Sequence, residues 1–351
     1  MPLRKRSTIQ DVAERASVSI ATVSNALNGR TTKMSAATHA RIESAIAALA
    51  YRPNRAARQL KTGHTPLLGL LVPSIANPSF GTLAREVEIA AQAVEGYRVL
   101  LGNTYRSQEK ETSFFDDLLS HGVRGVILCS SLVDQRHLGT AIDKGLVIVS
   151  YDRRAIPGQP LAIDHVSTDN VRAGELAAQH LIDLGHTRLA FATPSRRTVS
   201  RADKIDGFRA AAQRARILHS TSVLEAPSNE AYGDSELAEI GRALALRLAA
   251  DRQGLTGIVA VNDMLAFGLM AGLRDCGLRV PEDISVVGID DLYLCTLFRP
   301  SLTSLRAPLA VMARKMVERV ISRLADPSLP VGEFLFEPTL VSRESSAPYQ
   351  G

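Results

Sequence analysis

Thr8-Ile9-Gln10-Asp11-Val12-Ala13-Glu14-Arg15-Ala16, then Ser17-Val18-Ser19, then Ile20-Ala21-Thr22-Val23-Ser24-Asn25-Ala26-Leu27-Asn28 read as two short helices on a tight turn. Thr8 and Asp11 have the capping-box spacing, which satisfies two backbone donors left open at a helix start. Ile9, Val12, Ala13 and Ala16 recur at helical spacing, and Val18, Val23, Ala26 and Leu27 supply the facing apolar set. Ser19 suits the N-cap of the second helix, which leaves Ile20, Ala21, Ser24 and Asn25 free to project from its first two turns. A third helix over 38–50 carries Ile42, Ala45, Ile46 and Leu49 on one face and closes a three-helix bundle. Small turn residues and a compact polar face on the second helix suit insertion into a major groove.

Charge separates that reading from an ordinary bundle that binds nothing. Residues 1–64 hold eleven Lys or Arg against Asp11, Glu14 and Glu43, a net of +8. The whole chain is +5, so the remainder carries −3. A basic head on a mildly acidic body points to the phosphate backbone as the partner of the head.

Three segments carry a resemblance: Ile9-Gln10-Asp11-Val12-Ala13, Val18-Ser19-Ile20-Ala21-Thr22-Val23-Ser24, and Tyr51-Arg52-Pro53-Asn54-Arg55-Ala56-Ala57-Arg58-Gln59-Leu60-Lys61-Thr62-Gly63. In order and spacing they closely resemble the lactose-repressor and galactose-repressor family. The resemblance implies a helix-turn-helix DNA-binding domain over 1–52, a hinge helix and linker over 53–65, and an effector-binding and dimerisation core over 66–351. It places Thr8, Ser19, Ile20, Ala21, Thr22, Ser24, Asn25, Asn28 and Tyr51 of the head at DNA, with Ile20, Ala21 and Asn25 nearest the base edges. From the hinge it adds Asn54, Ala57, Arg58, Leu60 and Lys61, with Leu60 as a wedge into the minor groove at the centre of a palindrome. The hinge has its own logic. Pro53 blocks continuation of the third helix, Asn54 can cap a new start and Gly63 permits an exit, so at most about two turns fit. Helices that short are marginal in water, and folding on DNA is the physically expected behaviour.

From Leu67 onward, short apolar runs alternate with amphipathic stretches. Strands are expected over 67–72, 97–102, 125–129, 147–150, 188–192, 257–261 and 284–289. Helices are expected over 80–94, 109–120, 135–143, 171–184, 204–215, 235–250, 264–276 and 309–324. The two series imply a two-lobed α/β core of doubly wound parallel sheets, with one lobe at about 66–168, the other at about 169–300, and a C-terminal segment crossing back. Ligands in such sheets lie beyond the carboxyl ends of strands. Those ends are polar here, Tyr151-Asp152-Arg153 and Asn262-Asp263 among them, as expected of a cleft that holds a hydroxylated molecule.

The core resembles the same family along its length. Val72-Pro73, Asn77-Pro78-Ser79-Phe80, Asp169-Asn170, Gly185-His186, Lys204-Ile205-Asp206-Gly207-Phe208, Asn262-Asp263 and Val280-Pro281-Glu282-Asp283-Ile284-Ser285 recur in order. This implies a fold like that of periplasmic sugar-binding proteins, with Ser79, Phe80, Ser130, Asp152, Ser200, Lys204, Asn262 and Asp290 facing an effector. The strand-end reading adds Arg153 and Asp263. One departure stands out: the family usually has arginine where this chain has Lys204, and lysine replaces a planar fork by a point charge. Either the effector differs or Arg201 takes over.

The fold class expected is therefore an all-α three-helix helix-turn-helix head with a hinge helix, joined to a two-lobed, periplasmic-binding-protein-like core. The function expected is a DNA-binding transcriptional regulator, a repressor by preference. Its partners are a pseudo-palindromic operator, a small-molecule effector (a sugar or glycoside) and a second copy of the chain. A corepressor-dependent regulator responding to a purine or small organic acid is the alternative. A solute-binding protein would need an export signal and has no use for a basic head. A nucleotide-dependent enzyme would want a glycine-rich phosphate loop or a catalytic set, and neither the dinucleotide fingerprint nor a Walker loop nor a Gly-x-Ser-x-Gly elbow occurs. No cofactor is expected, and no metal, because the eight histidines and three cysteines share no ligand spacing. Without an apolar leader or membrane span, a cytoplasmic site is expected. Without a leucine-heptad tail, a dimer is expected.

Overall fold

Helix α1 (Ile9–Ala16) starts where the capping box puts it. The Thr8 hydroxyl accepts from the Asp11 amide at 3.3 Å, and the Asp11 carboxylate accepts from the Thr8 amide at 2.7 Å. Ser17, in the left-handed region at φ 51°, ends the helix and turns the chain into α2 (Ile20–Leu27). Helix α3 (Ala36–Ala48), capped by Ser35, lies across both. Val12, Ala13, Ala16, Val23, Ile42 and Ala45 are buried between them, with Tyr51 packed at the edge. So small a core leaves little margin, and the cap matters accordingly. Thr8→Ala is expected to cost about 1 kcal/mol, read as roughly fivefold faster amide exchange along α1 in the full chain. Unchanged exchange would remove the cap from the account.

The structure, a computed structural model, describes residues 7–27, 34–51 and 66–350, except 95, 131, 133, 156, 157, 159, 160, 196, 197 and 228–235. The chain divides into two compact units, Met1–Thr65 and Pro66–Gly351.

The second unit is built from two six-stranded sheets. In the first, β1 (Leu67–Val72), β2 (Arg98–Asn103), β3 (Gly125–Leu128), β4 (Val147–Tyr151) and β5 (Ile163–Thr168) run in the order 2-1-3-4-5, with α4 (Pro78–Ala93), α5 (Gln108–Ser120) and α6 (Arg136–Asp143) between them. The second lobe repeats the pattern. Here β6 (Leu189–Pro194), β7 (Thr221–Ala226), β8 (Gly257–Ala260), β9 (Ser285–Ile289) and β10 (Thr303–Arg306) lie in the order 7-6-8-9-10. Its helices are α7 (Asn170–Asp183), α8 (Val199–Arg214), α9 (Leu237–Ala250) and α10 (Asp263–Asp275). All pairings within these ten strands are parallel. Each sheet therefore reverses direction beside its first strand, which opens a crevice at the carboxyl edge.

Three crossings join the lobes: after Thr168, after Arg306, and after Phe336. Helix α11 (Leu309–Ala325), which the sequence rhythm assigns to the second series, packs its Met312, Ala313, Met316, Val317 and Val320 into the core of the first lobe. Strand β11 (Glu333–Phe336) then extends the first sheet beside β5, and β12 (Thr339–Val341) closes the second, antiparallel to β10. An ion-pair knot fixes this return. The fully buried Asp164 on β5 receives Arg319 Nε at 2.9 Å, Arg323 Nη1 at 3.2 Å and the Gly332 amide at 2.9 Å.

Candidate functional site

A cavity of about 90 Å³ lies in the core unit at the carboxyl ends of the strands, lined from both lobes. From the first lobe come Ser79 and Phe80 on the opening turn of α4, Arg106 after β2, Tyr151 and Asp152 at the end of β4, and Thr168 at the end of β5. Asn77, which also faces the cavity, caps α4 by accepting from the Ser79 amide at 3.1 Å. From the second lobe come Asn170, then Thr198, Ser200, Arg201 and Lys204 around the start of α8, Asn262 capping α10, and Asp290 after β9. Leu305, Ala307, Leu309 and Pro338 complete the wall from the last two crossings.

Two ties cross between the lobes near this cavity. Asn170 Nδ2 donates to Asp152 Oδ1 at 2.9 Å, and Arg154 grips Asp203 on α8 with Nε at 3.0 and 3.1 Å and Nη2 at 2.6 Å. Asp152 and Asp290 both sit at positive φ, 58° and 123°, a conformation that costs energy and that the surrounding structure imposes.

Of the core residues singled out from sequence, Ser79, Phe80, Asp152, Ser200, Lys204, Asn262 and Asp290 come together in the lining. Ser130, Arg153 and Asp263 do not. Ser130 is buried beside the Leu132 amide, for which it is a 3.4 Å acceptor. Arg153, one residue past the cavity-facing Asp152, turns into the first lobe, where Nη1 donates to the Leu132 carbonyl at 3.1 Å. Burial pulls that guanidinium down to about 10, with Glu111 opposing. Asp263 lies beneath the second-lobe wall and is fully buried. It accepts from Ser304 Oγ at 2.6 Å, the Leu292 amide at 2.7 Å and Cys295 Sγ at 3.1 Å. It thereby ties α10, the 290–296 segment and β10 together behind Asn262 and Asp290. Burial first, and the Asp290 carboxylate second, push Asp263 up to about 8.

Arg106, Tyr151, Thr168, Asn170 and Thr198 line the cavity without having been singled out. Tyr151 sits next to Asp152 at a recognised strand end, a signal that was available. Thr168 ends β5 and Asn170 follows it, and the polar sequence of that strand conceals it. Among the described residues the aromatic side chains of the lining are Phe80 and Tyr151; Phe298, stacked on Phe267 at 4.3 Å, and Tyr105, under Lys110, lie outside it.

In the head, Ser19, Ile20, Ala21 and Asn25 form the exposed face of α2, with Thr22 and Ser24 half-buried at its margin. Ser19 Oγ accepts from the Thr22 amide at 3.1 Å, which caps the helix and orients its first turn. Thr8 is occupied by the capping box, and burial raises the Tyr51 hydroxyl above its ordinary value. Asn28, Asn54, Ala57, Arg58, Leu60 and Lys61, and the hinge helix with them, lie outside the described residues.

Comparison with known proteins agrees with both parts. Residues 8–54 match the lacI family of bacterial regulatory proteins, and residues 178–346 match the periplasmic binding protein-like domain. The chain is 31% identical over 346 residues to the transcriptional regulator GalR of Salmonella typhimurium, covering 97% of this chain and 96% of the relative. It is 32% identical over 345 residues to the transcriptional repressor PurR of Aliivibrio fischeri, covering 97% and 98%. Among solved structures, the lac repressor dimer bound to operator and an anti-inducer superposes with a TM-score of 0.83 at 25% identity, covering 98% of this chain and 100% of that one. A LacI family regulator from Enterococcus faecium with bound ribose superposes with a TM-score of 0.71 at 28% identity, covering 81% and 100%. The chain belongs to the lacI family of bacterial regulatory proteins and is a DNA-binding transcriptional regulator, not an enzyme.

Proposed function

We propose that this regulator is a repressor whose hold on a pseudo-palindromic operator is governed by a sugar-sized effector bound between the two lobes of its core. The observation that carries the reading is the cavity itself, walled by hydrogen-bonding side chains from both lobes at the carboxyl ends of their strands. At about 90 Å³ the cavity suits a small polar molecule. The bound ribose of the Enterococcus faecium structure supports a sugar in this place.

A molecule spanning the cavity touches both lobes and so biases their relative position. In the proposed dimer, that bias reaches the DNA through the segment that joins each core to its head. Apolar side chains exposed on both lobes, Ile75 and Ile89 on one and Tyr293 and Leu297 on the other, supply surface for a second copy. The exposed face of α2, with Ile20, Ala21 and Asn25, is the surface that reads base edges; Thr8, Ser19, Thr22, Ser24 and Tyr51 set its orientation. Asn28, Asn54, Ala57, Arg58, Leu60 and Lys61 are proposed as further DNA contacts from sequence alone.

The test is fluorescence anisotropy of the full-length protein on DNA from its own upstream region, at fixed salt, with and without a panel of sugars and glycosides. Specific binding weakened by one compound establishes an inducible repressor, and binding tightened by one establishes corepression. Operator affinity indifferent to every compound would contradict a sugar effector. Asp290→Asn, which keeps the shape and tolerates positive φ, is expected to weaken the responding compound roughly tenfold to a hundredfold by removing a charged acceptor. Calorimetry checks it, and an unchanged affinity moves the effector away from Asp290.

A further inference from the structure

We propose that the effector is an anionic monosaccharide derivative, whose phosphate or carboxylate group sits against Lys204 at the start of α8. This rests on the cleft being the effector site and narrows the class of molecule it takes.

Lys204 is only 8% exposed and lines the cavity. Among the described residues its ammonium has no hydrogen-bond or ion-pair partner. The absence has a structural cause. The nearest carboxylate in sequence, Asp203, is held on both oxygens by Arg154 from the other lobe. On the helix surface, the positions three and four residues away are Arg201, Ser200, Gly207 and Phe208, and none is acidic. A cation taken out of water without a counter-charge is costly, so its partner is to be sought in what the cavity binds.

The surroundings favour an anion as well. α8 is a sixteen-residue helix with no acidic side chain in its first turn, and it presents Arg201 and then Lys204 in its first two turns. The positive end of the helix dipole, felt within the first turn, disfavours the Arg201 cation there and favours a negative group. Among the described residues the cavity lining carries Arg106, Arg201 and Lys204 beside Asp152 and Asp290. Asp152 already accepts from Asn170 at 2.9 Å. Ser79, Thr168, Ser200 and Asn262 also line the cavity. Asn262 Oδ1 is taken by the Leu265 amide at 3.0 Å and Ser200 Oγ meets Thr198 Oγ1 at 3.2 Å, so Asn262 Nδ2 and the hydroxyls' second hydrogen-bonding capacity are what they offer to the hydroxyls of the same molecule.

Lys204 is also firmly placed. A Cβ at Gly174 would lie 1.9 Å from the Lys204 carbonyl, so α7 and α8 touch backbone to backbone at this residue. The ammonium is thus presented from a rigid element, as selective recognition of one charged group requires.

Calorimetric titration of the full-length protein tests the proposal with matched probes: glucose beside glucose 6-phosphate, gluconate and glucuronate, and ribose beside ribose 5-phosphate. At least one acid is expected to bind roughly ten- to a hundredfold more tightly than its neutral parent, and the phosphate and carboxylate arms identify the group. That advantage is expected to vanish in Lys204→Met and persist in Lys204→Arg. The ligand-free Lys204→Met protein is expected to melt at or above the temperature of the parent, since it loses an unpaired buried charge; a clear drop would give Lys204 a structural role instead. Neutral sugars binding as tightly as their acids, with no change in Lys204→Met, would overturn the anionic effector and leave the sugar cleft standing. No binding by any probe, with operator affinity also unresponsive, would overturn the sugar cleft and this inference together.

Discussion

Asp164→Ala is expected to cost the core about 3–5 kcal/mol, the loss typical of breaking a buried ion pair from one side. The carboxylate is fully buried and neutralises two guanidiniums, Arg319 and Arg323, that reach it from the same face of α11. Removing it leaves Arg323, itself 7% exposed, with the Ala162 carbonyl at 3.0 Å as its hydrogen-bond partner among the described residues. It also frees the Gly332 amide, which Asp164 Oδ1, the oxygen that Arg319 Nε reaches, holds as the chain enters β11. Two of the three crossings between the lobes flank α11, so the damage falls on the return segment that carries Ala307, Leu309 and Pro338 into the cavity wall. Urea unfolding, or a melting temperature lower by on the order of 10 °C, checks the expectation. A loss below about 1 kcal/mol would mean that water reaches the site and screens the pair.

The second expectation concerns pH. Asp263 has an ordinary value of 3.8 when exposed and is pushed up to about 8 in the folded core, by burial and then by the Asp290 carboxylate. Between about 4 and about 8 the unfolded chain has released this proton while the folded chain keeps it. Stability from Asp263 is therefore fully present below the lower value and is lost as pH rises through the upper one, by at most about 1.4 kcal/mol per pH unit. Three histidines push the other way, since burial lowers His165, His180 and His186 and favours folding as pH rises. Comparison with Asp263→Asn cancels them. The amide keeps the shape, can accept from the Leu292 amide and can donate to Ser304 Oγ. The difference in stability between parent and Asp263→Asn is expected to shift steadily in favour of the variant from pH 5 to pH 8. A flat difference would show Asp263 ionised throughout, held by its three donors against burial.

The head was legible because its signals are local: Thr8 with Asp11, the apolar spacing of Val12, Ala13 and Ala16, and Ser19 ahead of the second helix. The strands β1, β3 and β8 were legible because burial on both faces makes them unbroken apolar runs. β5 was not, since Ile163-Asp164-His165-Val166-Ser167-Thr168 is buried by partners far along the chain, Arg319 and Arg323 among them. The edge strands β11 and β12 are too short and too exposed to show a pattern. The lobe that receives α11 is a matter of how the chain crosses, which periodicity does not encode.

The cavity follows the same division. The polar strand ends pointed to its place, yet adjacent residues face opposite ways. Asp152 and Asn262 line the cavity while Arg153 and Asp263 lie behind it, and only the backbone's path decides which is which. Lys204 was visible as a departure from arginine. That it is buried without a counter-charge was not, because the grip of Arg154 on Asp203 is a contact between lobes.

In the proposed mechanism one molecule in the core cleft and one DNA site on the head compete for, or cooperate through, the same protein states. The measurement that addresses it most directly is the affinity of the responding ligand for the full-length protein, by calorimetry, with and without saturating operator DNA. Linkage requires operator to change ligand affinity by the same factor that ligand changes operator affinity, typically about 5- to 150-fold. Equal factors in the two directions are the predicted result, with the sign distinguishing an inducer from a corepressor. A ligand that binds the cleft with the same affinity whether or not operator is bound would contradict the account.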